Sequence, residues 1–374
     1  MNEFKIPLHK PFWGKEEEAA AIEAMRGGIG VGDLSFGQLL SREISKMTGA
    51  KHVLPISSGT GALELACACV LKDGDEVILP SFTFPSCANA ILLMGAKPVF
   101  CDIDVNSYNI DPKQIIKKVT KKTRAIMVVH YAGFACDMDA ISKIAKEHNL
   151  AVIEDAAHCL GAYYKGKHLG TIGDMGCFSF HGTKNIASGE GGAFVTNNST
   201  YCQTAEIIRE KGTDRSAFMR GEKKKYSWVG IGRSLVFSDI LAAVAFEQMK
   251  KLPRITKMRK KNAKYLLSRL SDLSTKIVLP KPTDGSDGNW HIFAIRVGRG
   301  KRGDIITGLR KAGIESSFHY LPLHNSPMGK KLGYKDGDFP VTEEVAATLF
   351  RLPMYPSLTY GEMDYIAKTL EKLV

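Results

Sequence analysis

From His52 onward the chain alternates short apolar runs with stretches of helical period. HVLPIS (52–57) precedes a helix predicted from Gly61 to Leu71, and EVILP (76–80) precedes one from Pro85 to Met94. KPVFCDID (97–104) leads to a helix from Pro112 to Val119, and RAIMVVHY (124–131) to one from Met138 to Asn149. AVIEDAA (151–157), CFSF (177–180) and GAFVTN (192–197) continue the series. Such strands are apolar on both faces and alternate with helices of about ten residues, which predicts a mostly parallel sheet covered by helices. Residues 1–246 are therefore expected to form a large α/β domain. Near Leu252 and Pro253 the texture changes to a long basic amphipathic helix ending at Leu270. Two strand-like runs follow (TKIVLP and WHIFAIRV), then a helix near Ile305 to Ala312 and a last one from Tyr360. Residues 247–374 thus read as a smaller C-terminal α+β domain.

The chain's 374 residues are enough for these two units. Its 44% hydrophobic and 24% charged residues are globular values, which excludes disordered and fibrous classes. No apolar run approaches the roughly 18 residues of a spanning helix, and the N-terminus has no secretory pattern, so a soluble protein with no membrane partner is expected. The eight cysteines show no paired metal spacing and read as reduced thiols of a cytoplasmic protein, with no metal site expected. The net charge of +12 is spread along the chain without aromatic interleaving, which favours a phosphorylated small molecule over nucleic acid.

Candidate chemistry falls at the carboxyl ends of the predicted strands, where open parallel sheets gather ligands. Ser57-Ser58-Gly59-Thr60-Gly61 opens a helix, as a phosphate turn or as a plain N-cap. Asp155 ends AVIED, where an aspartate caps a loop, binds a metal or holds a cationic ring nitrogen. Phe82 and Phe84 in PSFTFP are core residues or a cover for a flat ring. Lys184 stands alone in CFSFHGTKNIASGEGG, as a solvated loop charge or a nucleophile; Gly182, Gly189, Gly191 and Gly192 around it suit close approach to something flat or phosphorylated. Together, a phosphate turn, an aromatic, a strand-end carboxylate and an isolated lysine are the parts pyridoxal 5'-phosphate (PLP) requires.

SSGTGALELA, PSFTFPSCANA, VHYAGFACDMD, IEDAAHCLGA, CFSFHGTKNIASGEGG and AEIIREKGTDRSAFMRG resemble the DegT/StrS family of PLP-dependent nucleotide-sugar aminotransferases. The similarity runs from about Pro11 to the end and includes FHYLPLHNSP and RLPMYPSL. Within the family, REKGTDRS with FHYLPLH is most similar to the enzymes that aminate C4 of TDP-4-keto-6-deoxyglucose. The resemblance implies a fold type I architecture and a homodimer with active sites at the subunit interface. By residue, Lys184 matches the Schiff-base lysine and Asp155 the partner of the pyridine nitrogen. His158 stands where many members carry a glutamine, and Gly59, Thr60 and Ser179 match phosphate-binding positions. Phe84 matches the aromatic over the ring, and Ser234 falls where many members donate an asparagine from the neighbouring subunit. Dehydratases of the family have histidine in place of the lysine, so Lys184 argues for amino transfer.

The resemblance further implies ping-pong transamination, with L-glutamate as donor and a nucleotide-linked 4-keto-6-deoxyhexose as acceptor. Lys184, once freed, would move the proton. Arg215, Arg220 and Tyr226, in KGTDRSAFMRGEKKKYSW, suit a nucleotide diphosphate and its base or sugar, or else form a solvated charged loop; His319 is a further substrate candidate from the small domain, preferred to His324. Alternatives are amination at C3, a GDP- or UDP-linked keto sugar, and a regulatory or binding member of the same fold. That last class would be expected to lose the lysine or the carboxylate, and both are present.

Overall fold

The computed structural model describes residues 4–28, 30 and 32–374. We number the strands of the two larger sheets and their main helices in chain order. The large sheet contains β1 (His52–Ile56), β2 (Glu76–Pro80), β3 (Lys97–Cys101), β4 (Thr123–Val129), β5 (Ala151–Asp155), β6 (Met175–Ser179) and β7 (Gly192–Thr196), in the order β1-β7-β6-β5-β4-β2-β3. The four pairings from β6 to β3 are parallel. Both pairings of β7 are antiparallel, because β6 returns directly into it through the loop that carries Lys184. The predicted mostly parallel α/β sheet is therefore present.

Its strands read as unbroken apolar runs because both faces are covered. β6 and β7 are buried at every position. One face carries α3 (Gly59–Val70) and α4 (Pro85–Leu92), with Leu65, Ala66, Ile91 and Phe194 in a shared core. The other face carries α5 (Met138–His148) and the start of α6 (Asp239–Leu270). Two helices ahead of the alternation, Lys15–Gly27 and Ser35–Thr48, pack along α6.

The basic helix expected from Leu252 begins at Asp239 and runs through Pro253 for 32 residues. A proline inside a helix removes one backbone hydrogen bond and costs about 3 kcal/mol in isolation. Burial of Met249, Leu252 and Ile255 around it offsets that cost. The C-terminal half of α6 belongs to another core, where Leu266 and Leu270 meet Phe293, Ile295 and Phe350. One helix thus crosses the expected 246/247 junction and ties the large sheet to the small one. The small sheet is antiparallel, with β8 (Ile277–Val278), β9 (Phe293–Val297), β10 (Ser317–Phe318) and β11 (Leu349–Leu352) in the order β8-β9-β11-β10. TKIVLP contributes two paired residues where a longer strand was expected. The eight cysteines are unpaired, seven of them buried.

At the centre of the large sheet Glu154 is completely buried. Its Oε2 accepts from His130 Nε2 (2.8 Å) and Gly170 N (2.7 Å), and its Oε1 from Ile172 N (2.7 Å) and Gly173 N (2.5 Å). Burial alone would raise the carboxyl pKa; the His130 and backbone donors outweigh it and hold the group below its ordinary value. Glu154→Ala strands His130 and three backbone N–H groups, and is expected to cost about 3–5 kcal/mol. A urea midpoint within error of wild type would contradict this.

Candidate active site

Successive side chains of a strand face opposite ways, so Asp155, next to Glu154, turns to the other side of β5. It lines a cavity of about 460 Å³ at the carboxyl ends of the parallel strands. Asp155 Oδ1 accepts from Ala157 N (3.1 Å), while Oδ2 faces the thiol of Cys87 (3.0 Å), which also contacts Thr83 Oγ1 (3.1 Å). These bonds fix the plane of a carboxylate that is almost fully buried.

Lys184 reaches the same cavity from the loop between β6 and β7. That loop is closed on itself by Phe180 N to Gly191 O (2.8 Å), Gly182 N to Gly189 O (2.9 Å) and Ser188 N to Phe180 O (2.9 Å), and Lys184 N donates to His181 O (2.8 Å). The side chain opens onto the cavity and is otherwise surrounded by protein. Burial lowers the amine pKa to about 8; Asp155 and Cys159 pull it back up, and Arg351 pushes it further down. The glycines divide into two kinds. Gly182 and Gly189 border open space, but a Cβ on Gly191 would meet the Phe237 ring and one on Gly192 would lie 2.7 Å from Gly59 N. The latter two make room for protein packing, which corrects the expectation that all four border a ligand.

The third component is the start of α3. Ser58 Oγ caps the helix by accepting from Gly61 N (3.0 Å), which leaves the N–H groups of Gly59 and Thr60 without acceptors in the first turn. A Cβ on Gly59 would lie 2.8 Å from Cβ of Ser179, so glycine is what lets the helix start approach β6. Gly59, Thr60 and Ser179 all line the cavity. Their N–H and hydroxyl groups, at the positive end of a 12-residue helix, form an anion cradle.

Of the other expected residues, Phe84, His158 and His319 line this cavity as well. Phe84 is 57% exposed at its mouth, with the Tyr320 ring 6.4 Å away. His158 and His319 are held neutral, their pKa values driven well down, first by burial and then by neighbouring positive charge that includes Lys184 and Arg351. Arg215, Arg220, Tyr226 and Ser234 do not line the cavity. Arg215 is 3.4 Å from Glu210, Arg220 is 2.7 Å from both Glu206 and Glu222, Tyr226 packs on Phe218, and Ser234 is exposed beside Glu210. Within one chain these residues stand away from the cavity, and the two arginines pair with acidic neighbours. His324, passed over in favour of His319, is sealed between Ser81 and Glu343.

Sequence reasoning missed His9, His291 and Arg351. His291 stacks between His158 (4.4 Å) and His9 (6.3 Å), and its Nδ1 lies 2.9 Å from Asn185 Oδ1. His9 arrives on an N-terminal segment anchored by Leu8 N to Glu315 Oε2 (2.7 Å), and burial with nearby arginines lowers its pKa to about 3. No periodicity marks His9. For Arg351 a signal exists, a charge inside the apolar strand LFRL.

An amine of lowered pKa, a fixed carboxylate and an anion cradle at one cavity fit PLP. Comparison with known proteins agrees. Residues 12–371 match the DegT/DnrJ/EryC1/StrS aminotransferase family. The chain is 35% identical to the spore coat polysaccharide biosynthesis protein SpsC of Bacillus subtilis, over 99% of this chain and 97% of that protein. Among solved structures it is similar to Helicobacter pylori PseC, an aminotransferase involved in pseudoaminic acid biosynthesis (26% identity, TM-score 0.91, 100% and 99% covered). It is also similar to a GDP-4-keto-6-deoxymannose-3-dehydratase with a trapped PLP-glutamate geminal diamine (26% identity, TM-score 0.90, 98% and 100% covered). The chain belongs to the DegT/DnrJ/EryC1/StrS family and is a PLP-dependent nucleotide-sugar aminotransferase.

In the cofactor-free protein, labelling of Lys184 by an amine-directed reagent is expected to rise through a midpoint near pH 8, because the amine is protonated and unreactive below it. Exposed lysines titrate near 10.4. Peptide mapping across pH 6–11 reads the curve; a Lys184 midpoint like that of surface lysines would refute the buried-amine account.

Proposed function

We propose that the enzyme transfers an amino group from L-glutamate to C4 of a nucleotide-linked 4-keto-6-deoxyhexose, TDP-4-keto-6-deoxyglucose, giving the 4-amino-4,6-dideoxy sugar. The observation that carries this reading is the meeting of Lys184, Asp155 and the Gly59–Thr60 cradle at one cavity. Bound PLP supplies an electron sink for the carbon that loses its proton. Gly59, Thr60 and Ser179 would hold its phosphate, and Asp155 would stabilise positive charge on its ring nitrogen. His158, held neutral in the same cavity, would offer the cofactor a hydrogen-bonding group without adding charge. Lys184 would be the residue that holds the cofactor, and its buried amine, lowered to about 8 in the cofactor-free protein, suits it to take and return a proton in the cavity.

The TDP sugar is favoured by REKGTDRS with FHYLPLH, and glutamate by the PLP-glutamate species trapped in the related dehydratase. In this reading two chains form a homodimer, and Arg215, Arg220, Tyr226 and Ser234 serve the partner's cavity. Exposed Trp228 and Ile231 on the same segment supply apolar surface for that contact. The eight unpaired cysteines accord with a reducing, cytoplasmic setting. No helix among the described residues is long and apolar enough to cross a membrane.

Turnover with TDP-, UDP- and GDP-linked 4-keto-6-deoxyhexoses, followed by NMR of the product, tests the substrate. The TDP sugar is expected to lead by at least about tenfold in kcat/KM, with the amine at C4. Amination at C3, or a lead for another nucleotide, would replace this assignment. Lys184→Ala is expected to lose at least about 1,000-fold in kcat.

A further inference from the structure

The cavity contains a positive charge that the roles above leave unused. Arg351 sits in β11 opposite Ala294 of β9 and Ser317 of β10. Its neighbours Phe350 and Leu352 enter the core of the small domain, so strand alternation turns Arg351 the other way, to the wall of the cavity. Its Nε is buried and has no hydrogen-bond partner among the described residues. No carboxylate among the described residues forms an ion pair with it; Tyr131, Tyr320 and Glu315 are the groups whose negative form would favour its charge. Glu315 instead accepts from Leu8 N. Arg310, the other arginine of the cavity, is exposed, and its Nε donates to Ser316 O (2.9 Å).

A largely buried guanidinium with a free donor is costly unless an anion meets it. The imidazoles of His9, His158 and His319, all lowered in pKa in part by Arg351, add no negative charge. The phosphate cradle is a separate feature at the start of α3, built from N–H and hydroxyl groups. An amino-acid donor brings an α-carboxylate fixed one bond from the carbon that must lie near Lys184. A planar guanidinium fork matches a carboxylate in two parallel hydrogen bonds.

We propose that Arg351 is the binding residue for the α-carboxylate of the amino donor, and that the small sheet thereby sets the donor's orientation over the cofactor. The proposal rests on the aminotransferase reading but not on the identity of the sugar. Burying the donor's charge against Arg351 leaves its α-amine directed inward, while the acceptor's negative charge sits on its diphosphate, away from the reacting carbon, and is not what this contact is assigned to hold. Donor and acceptor thereby use one cavity with separable affinities.

The test uses PLP-loaded Arg351→Gln and Arg351→Lys enzymes and the donor half-reaction, followed in single turnover by the change in cofactor absorbance as L-glutamate is added. Arg351→Gln is expected to weaken half-saturation by glutamate at least about 30-fold, with the KM of the sugar nucleotide changed less than about threefold. Arg351→Lys, which keeps the charge but loses the fork, is expected to fall between the two. Glutarate, a non-reacting dicarboxylate, is expected to bind wild-type holoenzyme by calorimetry and to bind Arg351→Gln at least about tenfold more weakly. Unchanged glutamate saturation in both variants, or a rise confined to the sugar nucleotide, overturns the assignment. A wild-type holoenzyme whose cofactor absorbance responds to no L-amino acid would instead count against the aminotransferase reading itself.

Discussion

A single carboxylate shut away from water, Glu154, determines where the chemistry can stand. Four hydrogen bonds from His130, Gly170, Ile172 and Gly173 tie the central strand to the segments on either side of it. The Cys136 N–H donates to His130 Nδ1 (3.1 Å), which leaves Nε2–H to face Glu154. The energetic asymmetry of buried polar groups makes this arrangement nearly all-or-none: complete, it is stable; with one member missing, the others carry the full cost of desolvation. Because Asp155 is the next residue on the same strand, its position at the cavity follows from its neighbour's confinement.

The cavity is assembled from distant parts of the chain, each with its own local cause. The start of α3 approaches β6 because Gly59 has no Cβ, and Lys184 projects from a loop pinned by its own backbone bonds. The small domain contributes His319 and Arg351, and the N-terminal segment closes the wall with His9. Protein packing rather than any one partner keeps the imidazoles neutral, and Lys184 shares that environment with Asp155, the neighbour that most raises its pKa against burial. A low local dielectric strengthens each of these interactions and excludes the water that would level them.

Much of this was legible in the chain. The alternation of apolar runs and helical stretches carries the parallel sheet, and the strand-end positions of Gly59, Asp155 and Lys184 place them at one edge of it. The start of α6 was not visible, since the thirteen residues before Leu252 look like any apolar helix and only the basic remainder stands out. Nor was the purpose of Gly191 and Gly192, because a glycine that makes room for a phenyl ring reads the same as one that makes room for a ligand. His9 and His291 join the site through tertiary stacking alone, which no local period encodes. The loop from Lys211 to Trp228 has the residue types of a nucleotide site, yet within one chain its arginines pair with Glu206, Glu210 and Glu222.

The central claim is that Lys184 is the residue through which the cofactor and the proton are handled. Borohydride reduction of the PLP-loaded protein, followed by peptide mass mapping, addresses it most directly. The account predicts one pyridoxyl group per chain, on Lys184, with no other lysine labelled above background. A pyridoxyl group on another lysine, or bound PLP that reduction leaves unattached, would contradict it.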